Sequence, residues 1–251
     1  MRLKDKVAVV TGGGAGIGRG IAIRFAKEGA RVVIAERDAK QGRAARDEIQ
    51  HAGGEAIFVE VDVSSAGDVQ RMTDRVLDTY GHIDVLCNNA GIIVPGEGCA
   101  HEISEQVWDL TMNVNLKGYW LCSRSVLPHM LERKQGAIII IASPTGLYGF
   151  TRLTAYSTSK GGVAGLMRAM AADYAPSGIR VNAIVPGTID TPMNAAEFED
   201  PKAKQYWADA APAKRLGYPS DIAGMAVFLA SSDAEYCVGG FFTVDGGLTA
   251  V

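Results

Sequence analysis

The 251-residue chain has only four cysteines and four histidines. Cys87, Cys99, Cys122 and Cys237 form no C-x-x-C pair and the histidines stand apart, so the ligand spacing of a structural zinc site is missing and no metal is expected. Scattered thiols of this kind read as small apolar side chains. Basic residues are neither in excess nor clustered: 25 Lys and Arg against 28 Asp and Glu give a formal net charge of −3. A phosphate backbone or an anionic bilayer finds no footprint there, which argues against nucleic-acid and membrane partners. No apolar run approaches the roughly 20 residues of a membrane span, and a run such as Ala137 to Ala142, unsurpassed in length in the chain, is strand-sized. The opening Met1-Arg2-Leu3-Lys4-Asp5-Lys6 leads straight into a short apolar strand rather than a signal-peptide core, so a cytoplasmic location is expected.

Glycine is the residue in excess, with 30 copies, against a usual frequency of about 7%. The glycines are spread among apolar runs, which makes them tight turns rather than a disordered tract. Lys6 to Thr11 reads as a buried strand, followed by Gly12-Gly13-Gly14-Ala15-Gly16-Ile17-Gly18 and a helix with apolar positions Ile17, Ile21 and Phe25 at i+4 spacing, closed by Gly29. Further strands are expected at Arg31 to Ala35, Ala56 to Val61, Ile83 to Cys87, Ala137 to Ala142, Arg180 to Val185 and Phe241 to Val244. Between them lie helices from about Asp38 to Ala52, Ala66 to Tyr80, Glu105 to Glu132 with a kink at Pro128, Ala155 to Tyr174, and Ser220 to Leu229. Seven apolar strands without polar alternation, separated by helices, indicate an α/β fold: a doubly wound, Rossmann-type parallel sheet covered on both faces. One domain over 1–251 is expected, with a long irregular segment from Thr188 to about Pro219, of the length that usually serves function.

A strand, a glycine-rich turn and a helix together present backbone N–H groups and the positive end of a helix dipole to a phosphate. The P-loop pattern fails, because Arg19-Gly20 follows Gly18 where Lys and Ser or Thr are required. The G-x-G-x-x-G register fails too, since Arg19 occupies its third glycine position. What remains is Thr11-Gly12-x-x-x-Gly16-x-Gly18, a longer variant. Glu36 stands 20 residues after Gly16, where a carboxylate hydrogen-bonds the adenosine ribose. Such a carboxylate repels a 2′-phosphate, and Ala15 offers no basic residue inside the turn, so NAD is favoured over NADP. Arg37, directly after Glu36, keeps NADP as the alternative.

Tyr156 and Lys160 are four residues apart on one helix, so they share a face about a turn apart. A tyrosine at its usual pKa of about 10 is a poor base, and bringing it near pH 7 takes roughly 4 kcal/mol. One ammonium at about 4 Å supplies roughly that at an effective dielectric near 20. Ser143 ends the preceding strand, on the edge where open α/β sheets bind ligands.

Taken in order, Thr11-Gly12-x-x-x-Gly16-Ile17-Gly18, Asp62-Val63, Asn88-Asn89-Ala90-Gly91, Asn113-Val114-Asn115, Ser143, Tyr156-x-x-x-Lys160, Pro186-Gly187 and Val244-Asp245-Gly246-Gly247 closely resemble the marks of the short-chain dehydrogenase/reductase family, over essentially the whole chain. The resemblance implies Tyr156 as general acid/base and Ser143 as the hydrogen-bond partner of the substrate oxygen. It implies that Lys160 lowers the Tyr156 pKa and holds the nicotinamide ribose, while Asn115 supports a water relay to Lys160. For the cofactor it implies the turn residues Gly12, Gly14, Ala15, Gly16, Ile17 and Gly18, with Glu36; Asp62 and Val63 at the adenine; Asn89, Ala90 and Gly91 beside the ribose; and Pro186, Gly187, Ile189 and Thr191 toward the nicotinamide.

The activity expected is hydride transfer between NAD and a secondary alcohol or ketone, with a substrate lid at about 188–219. Met193, Phe198, Tyr206 and Trp207, helped by Leu147, Tyr148 and Phe150, either line an apolar pocket or pack the lid on itself or on a neighbouring subunit. Ala172 stands where reductases of acyl-carrier-protein thioesters often carry Arg, so an NADP-dependent 3-oxoacyl-thioester reductase is an alternative. A catalytically silent dinucleotide-binding regulatory protein is another. The long helices resemble those that pair across subunits in family tetramers, which implies a homotetramer.

Overall fold

The computed structural model describes residues 1–250. Seven strands, β1 (Val7–Thr11), β2 (Arg31–Glu36), β3 (Glu55–Glu60), β4 (Val85–Asn88), β5 (Gly136–Ile141), β6 (Ile179–Pro186) and β7 (Phe241–Val244), form one parallel sheet in the order β3-β2-β1-β4-β5-β6-β7. Each run read as a strand forms one, because a strand covered on both faces has no solvent side with which to alternate. Every residue of β1, β4 and β5 is buried.

The helices are α1 (Gly16–Lys27), α2 (Ala39–His51), α3 (Ala66–Tyr80), α4 (Glu105–Met112), α5 (Gly118–Arg133), α6 (Thr154–Tyr174), α7 (Ala195–Phe198), α8 (Pro201–Ala210) and α9 (Pro219–Ala230). On one face of the sheet, Phe25 of α1, Ile49 of α2 and Val227 of α9 share a core with Val10, Ile34 and Ile139. On the other, Met72 of α3, Val126 of α5 and Met167 of α6 share one with Val9, Leu86 and Ile138. Side chains of Asp38, Ser65 and Ser104 accept from first-turn N–H groups of α2, α3 and α4, which satisfies donors that a helix start leaves open. No described helix is long and apolar enough to cross a membrane.

Two sequence expectations are corrected. The single helix expected over 105–132 is divided, and the division is not at Pro128, which lies within an unbroken α5. The change is a π-helical turn at Asn113–Lys117. Asn115 lies in this turn, and its Oδ1 accepts from the Ile92 N–H (2.8 Å) while its Nδ2 donates to the Ile92 carbonyl (2.9 Å). A side chain held on both sides by another loop stabilises a widened turn that helix propensity alone disfavours. The segment 188–219 is not irregular either: it carries α7 and α8, the latter started by Asp200, whose carboxylate accepts from the Lys202 N–H (2.9 Å), with Pro201 in the first turn.

Strand order reverses between β1 and β4, with β2 and β3 to one side and β5 to β7 to the other. At such a switch point the connections leave in opposite directions and open a crevice at the carboxyl ends of the strands. Thr11, Asn88, Ile141 and Pro186 all end strands on that edge.

Candidate active site

The glycine-rich turn begins where β1 ends. The Asn89 side chain ties it across the switch point, donating from Nδ2 to the carbonyls of Thr11 (2.9 Å) and Gly12 (3.2 Å). The Thr11 hydroxyl accepts from the N–H groups of Asn89 (3.0 Å) and Ala90 (3.1 Å). Unlike α2, α3 and α4, α1 starts without a side-chain cap, at Ala15, and has no acidic residue in its first turn. Its open N–H groups and positive dipole end suit an anion. Gly16 adopts φ +51° and sits so close to Thr191 that a Cβ there would lie 3.4 Å from the Thr191 side chain. The turn therefore meets the segment that follows β6.

Glu36 ends β2, and its carboxylate accepts from the N–H groups of Gly14 (3.2 Å), Arg37 (2.8 Å) and Asp38 (3.1 Å). These three bonds fix its position beside the turn. Asp62 follows β3, with its Oδ1 accepting from the Ser64 N–H (2.9 Å) and hydroxyl (2.6 Å). Val63 is buried against Gly118, where an added Cβ would lie 2.9 Å from it. Gly187 follows β6 and donates to the Val244 carbonyl (3.1 Å). Ile189 is buried, and its carbonyl accepts from Asn194 Nδ2 (2.9 Å). A cavity of about 180 Å³ adjoins this segment, lined in part by Thr188, Trp207 and Asp245. A dinucleotide fits this arrangement: an uncapped helix start for phosphate, a held carboxylate one strand away, and loops at the ends of β3, β4 and β6.

Ser143, Tyr156, Lys160 and Asn115 come together beyond β5. Ser143 is buried, and its hydroxyl accepts from the Thr145 N–H (3.3 Å) and hydroxyl (3.0 Å). Tyr156 is partly buried in the first turn of α6. Burial raises its phenol above the usual tyrosine range, and the hydrogen bond from the Ser143 hydroxyl pulls the other way. Lys160 is buried, and desolvation pushes its ammonium down to about 7. Its Nζ donates to the Ile141 carbonyl (2.8 Å) and the Tyr119 hydroxyl (3.3 Å), and lies 5.8 Å from the Tyr156 ring centre. The ammonium is turned toward these two oxygens, and the groups that shift the Tyr156 phenol are its own burial and Ser143. Gly91 borders the same space, where an added Cβ would lie 3.4 Å from Asn115 Oδ1 and 3.8 Å from Lys160 Nζ. Asn115 Nδ2 also donates to the Ser159 hydroxyl (3.2 Å).

Two neighbours escape sequence reading. The Glu97 carboxylate accepts from the N–H groups of Ala155 (3.1 Å) and Tyr156 (2.8 Å) and caps α6, for which Leu153 supplies no side-chain cap. Tyr119 belongs to an apolar helix and carries no motif. In neither case does spacing along the chain signal the contact.

Among the lid-segment aromatics, Trp207 lines the cavity described above and Phe198 lies beneath Lys204 Nζ. Tyr206 and Trp207 stack edge to face with centroids 5.5 Å apart, and the Trp207 indole N–H donates to Glu197 (2.6 Å). Tyr206 is exposed, as are Ile93, Leu147, Tyr148 and Met193 on the loops that follow β4, β5 and β6.

A family model described as enoyl-(acyl carrier protein) reductase matches residues 12–249. The chain is 40% identical over 247 residues to the (2S)-[(R)-hydroxy(phenyl)methyl]succinyl-CoA dehydrogenase subunit BbsD of Thauera aromatica, covering 98% of each chain. Among solved structures, levodione reductase superposes with a TM-score of 0.95 at 33% identity, covering 100% of both chains. Actinorhodin polyketide ketoreductase, in a variant solved with NADPH, gives 0.94 at 35% identity, covering 98% of both.

Proposed function

The chain belongs to the short-chain dehydrogenase/reductase family of oxidoreductases, and from that premise we propose that it transfers a hydride between NAD(H) and a secondary alcohol or ketone. The convergence of Ser143, Tyr156 and Lys160 at the carboxyl edge of the sheet carries this reading. A nicotinamide dinucleotide in the cleft supplies the two-electron donor or acceptor. The protein supplies the proton and the orientation. In reduction, the Tyr156 phenol, kept protonated at neutral pH by burial, gives its proton to the substrate oxygen, and the Ser143 hydroxyl meets the charge developing there. In oxidation Tyr156 acts from its phenolate form, its own proton first passing to solvent by way of the water relay; it then takes the proton of the alcohol, and the nearby Lys160 ammonium stabilises the phenolate. Asn115 holds the loop after β4 and supports a water relay toward Lys160.

The apolar Ile93, Leu147, Tyr148 and Met193 support an apolar alcohol or ketone as substrate, under a lid formed by 188–219. The chain acts as one domain, in the cytoplasm. Exposed Leu110 and Trp120, on α4 and α5, support pairing of these helices in a homotetramer. The CoA ester in the name of the Thauera relative favours one second reading, a thioester substrate. A panel of secondary alcohols, ketones and 3-oxoacyl-CoA thioesters, run with NAD(H) and NADP(H) in parallel, tests the proposal. Turnover of an alcohol or ketone with NAD(H), abolished in Tyr156→Phe, is the expected result. Dinucleotide binding without turnover of any panel member would point to a silent regulatory protein.

NAD preference rests on Glu36. Two unit charges about 4 Å apart repel by roughly 1 to 4 kcal/mol between bulk and surface dielectric, enough for a tenfold or greater preference against a 2′-phosphate. Glu36→Gln removes the charge and leaves Arg37 beside the site. The ratio of kcat/KM for NADP to that for NAD is expected to rise about tenfold or more, and an unchanged ratio would place the preference elsewhere.

A further inference from the structure

Tyr119 lies on α5, four residues after Asn115, and is fully buried. Lys160 Nζ donates to the Tyr119 hydroxyl (3.3 Å) and to the Ile141 carbonyl (2.8 Å), while the Tyr119 hydroxyl donates to that same carbonyl (3.2 Å). The ammonium also lies 5.1 Å from the Tyr119 ring centre. Its companions are thus two oxygens and two aromatic rings, with no carboxylate ion-paired to it among the described residues.

We propose that Tyr119 is a positioning residue for the reaction: its hydroxyl and ring solvate the buried Lys160 ammonium and hold it charged within reach of Tyr156. This rests on the roles given above to Tyr156 and Lys160. A buried ammonium is costly unless its donors find acceptors. A phenol is both donor and acceptor, and because the Tyr119 proton is spent on Ile141, an oxygen lone pair faces Lys160. The negative face of the ring adds attraction for the cation. Tyr119 does not compete as a base. Burial holds its own phenol well above the usual range, and Tyr156 of α6, Cys87 of β4 and Cys122 of α5, the titratable groups packed around it, push it the same way.

Without the hydroxyl, Lys160 keeps one fixed acceptor and its neutral form is favoured. The ammonium is then lost at lower pH, and the Tyr156 phenolate loses its counter-cation over that range.

Two measurements test the assignment. In the first, thermal unfolding of wild type and Tyr119→Phe is followed from pH 6 to 10, alone and in a Lys160→Met background. The Phe variant is expected to melt about 2–4 °C lower at pH 6, with the gap shrinking toward pH 10, where Lys160 is neutral in both proteins. In Lys160→Met the pH dependence of the gap disappears. A gap that is constant with pH, or that varies with pH equally in Lys160→Met, would overturn the proposal. Should Tyr119→Phe fail to fold, 3-fluorotyrosine at position 119, with a weaker acceptor oxygen of nearly the same size, gives the same trend at smaller amplitude. In the second, kcat/KM for alcohol oxidation, which needs the Tyr156 phenolate and the Lys160 ammonium together, matches wild type at low pH but levels off about one pH unit earlier in Tyr119→Phe, giving up to about tenfold lower activity above pH 7. Thermal coupling with an unmoved pH profile would reduce Tyr119 to a stabilising contact and overturn its positioning role. Full activity in Tyr156→Phe would instead overturn the catalytic reading while leaving the thermal result intact.

Discussion

Lys160→Met is expected to make the protein more stable and at the same time inactive. The ammonium is buried and its pKa is pushed down to about 7 by desolvation, from the usual 10.5. The unfolded chain holds that proton more tightly than the folded one. Folding therefore carries its full penalty below pH 7, and the penalty lifts as pH rises from 7 to 10.5. The size of the displacement corresponds to about 5 kcal/mol. Methionine fills nearly the same volume without charge, but leaves the Ile141 carbonyl and the Tyr119 hydroxyl short of a donor, which takes back about 1–3 kcal/mol. A net gain of roughly 2–4 kcal/mol at pH 6.5 follows, shrinking toward zero at pH 10. Turnover falls by about a hundredfold or more, because Tyr156, raised by burial, then has no cation to stabilise its phenolate. Urea titrations at the two pH values read the first effect, and an unchanged or lower stability at pH 6.5 would show that burial of Lys160 is not costly. Stability spent on holding a reactive group is the trade expected where an active site keeps a charge out of water.

Much of this architecture is legible in the sequence for a simple reason. A strand such as Gly136–Ile141, buried on both faces, has to be apolar at every position, and such runs stand out between amphipathic helices. The ends of those strands then mark the binding edge, so Thr11, Ser143 and Pro186-Gly187 can be placed on it before any coordinates are known. The helix starts expected at about Asp38, Ala66 and Glu105 are met, and each is set by a local side-chain cap, from Asp38, Ser65 and Ser104. Features that depend on contacts distant along the chain are not readable. The π turn at Asn113–Lys117 exists because Asn115 grips Ile92, 23 residues away, whereas Pro128, the conspicuous local signal, leaves α5 unbroken. Glu97 reaches Tyr156 across 59 residues and Tyr119 reaches Lys160 across 41. Four-residue spacing brings Lys160 to the same helix face as Tyr156, but the direction of its ammonium is set by Ile141 and Tyr119, on two other elements.

Gly18→Ala is expected to unseat the cofactor turn, although alanine is the better helix former. A Cβ at position 18 would collide with the Gly12 carbonyl oxygen and the Asn89 side-chain amide. The first is backbone. The second is no free side chain either, because it donates to the carbonyls of Thr11 and Gly12 and so binds β1 to β4 across the switch point. Making room means straining the turn, at about 1–3 kcal/mol, and losing buried hydrogen bonds, at a further 1–3 kcal/mol. An overall loss of roughly 2–6 kcal/mol in urea unfolding follows. Binding of NADH, followed by its fluorescence, weakens by about tenfold or more, since the N–H groups of the turn no longer converge on a phosphate. Gly224→Ala is the matched control. It lies on α9 with open space where the methyl would stand, so helix propensity alone acts and stability rises by about 0.5–1 kcal/mol with no change in NADH binding. If both variants behaved alike, the glycine at 18 would be there for helix–turn flexibility and not for the close approach of Gly12 and Asn89.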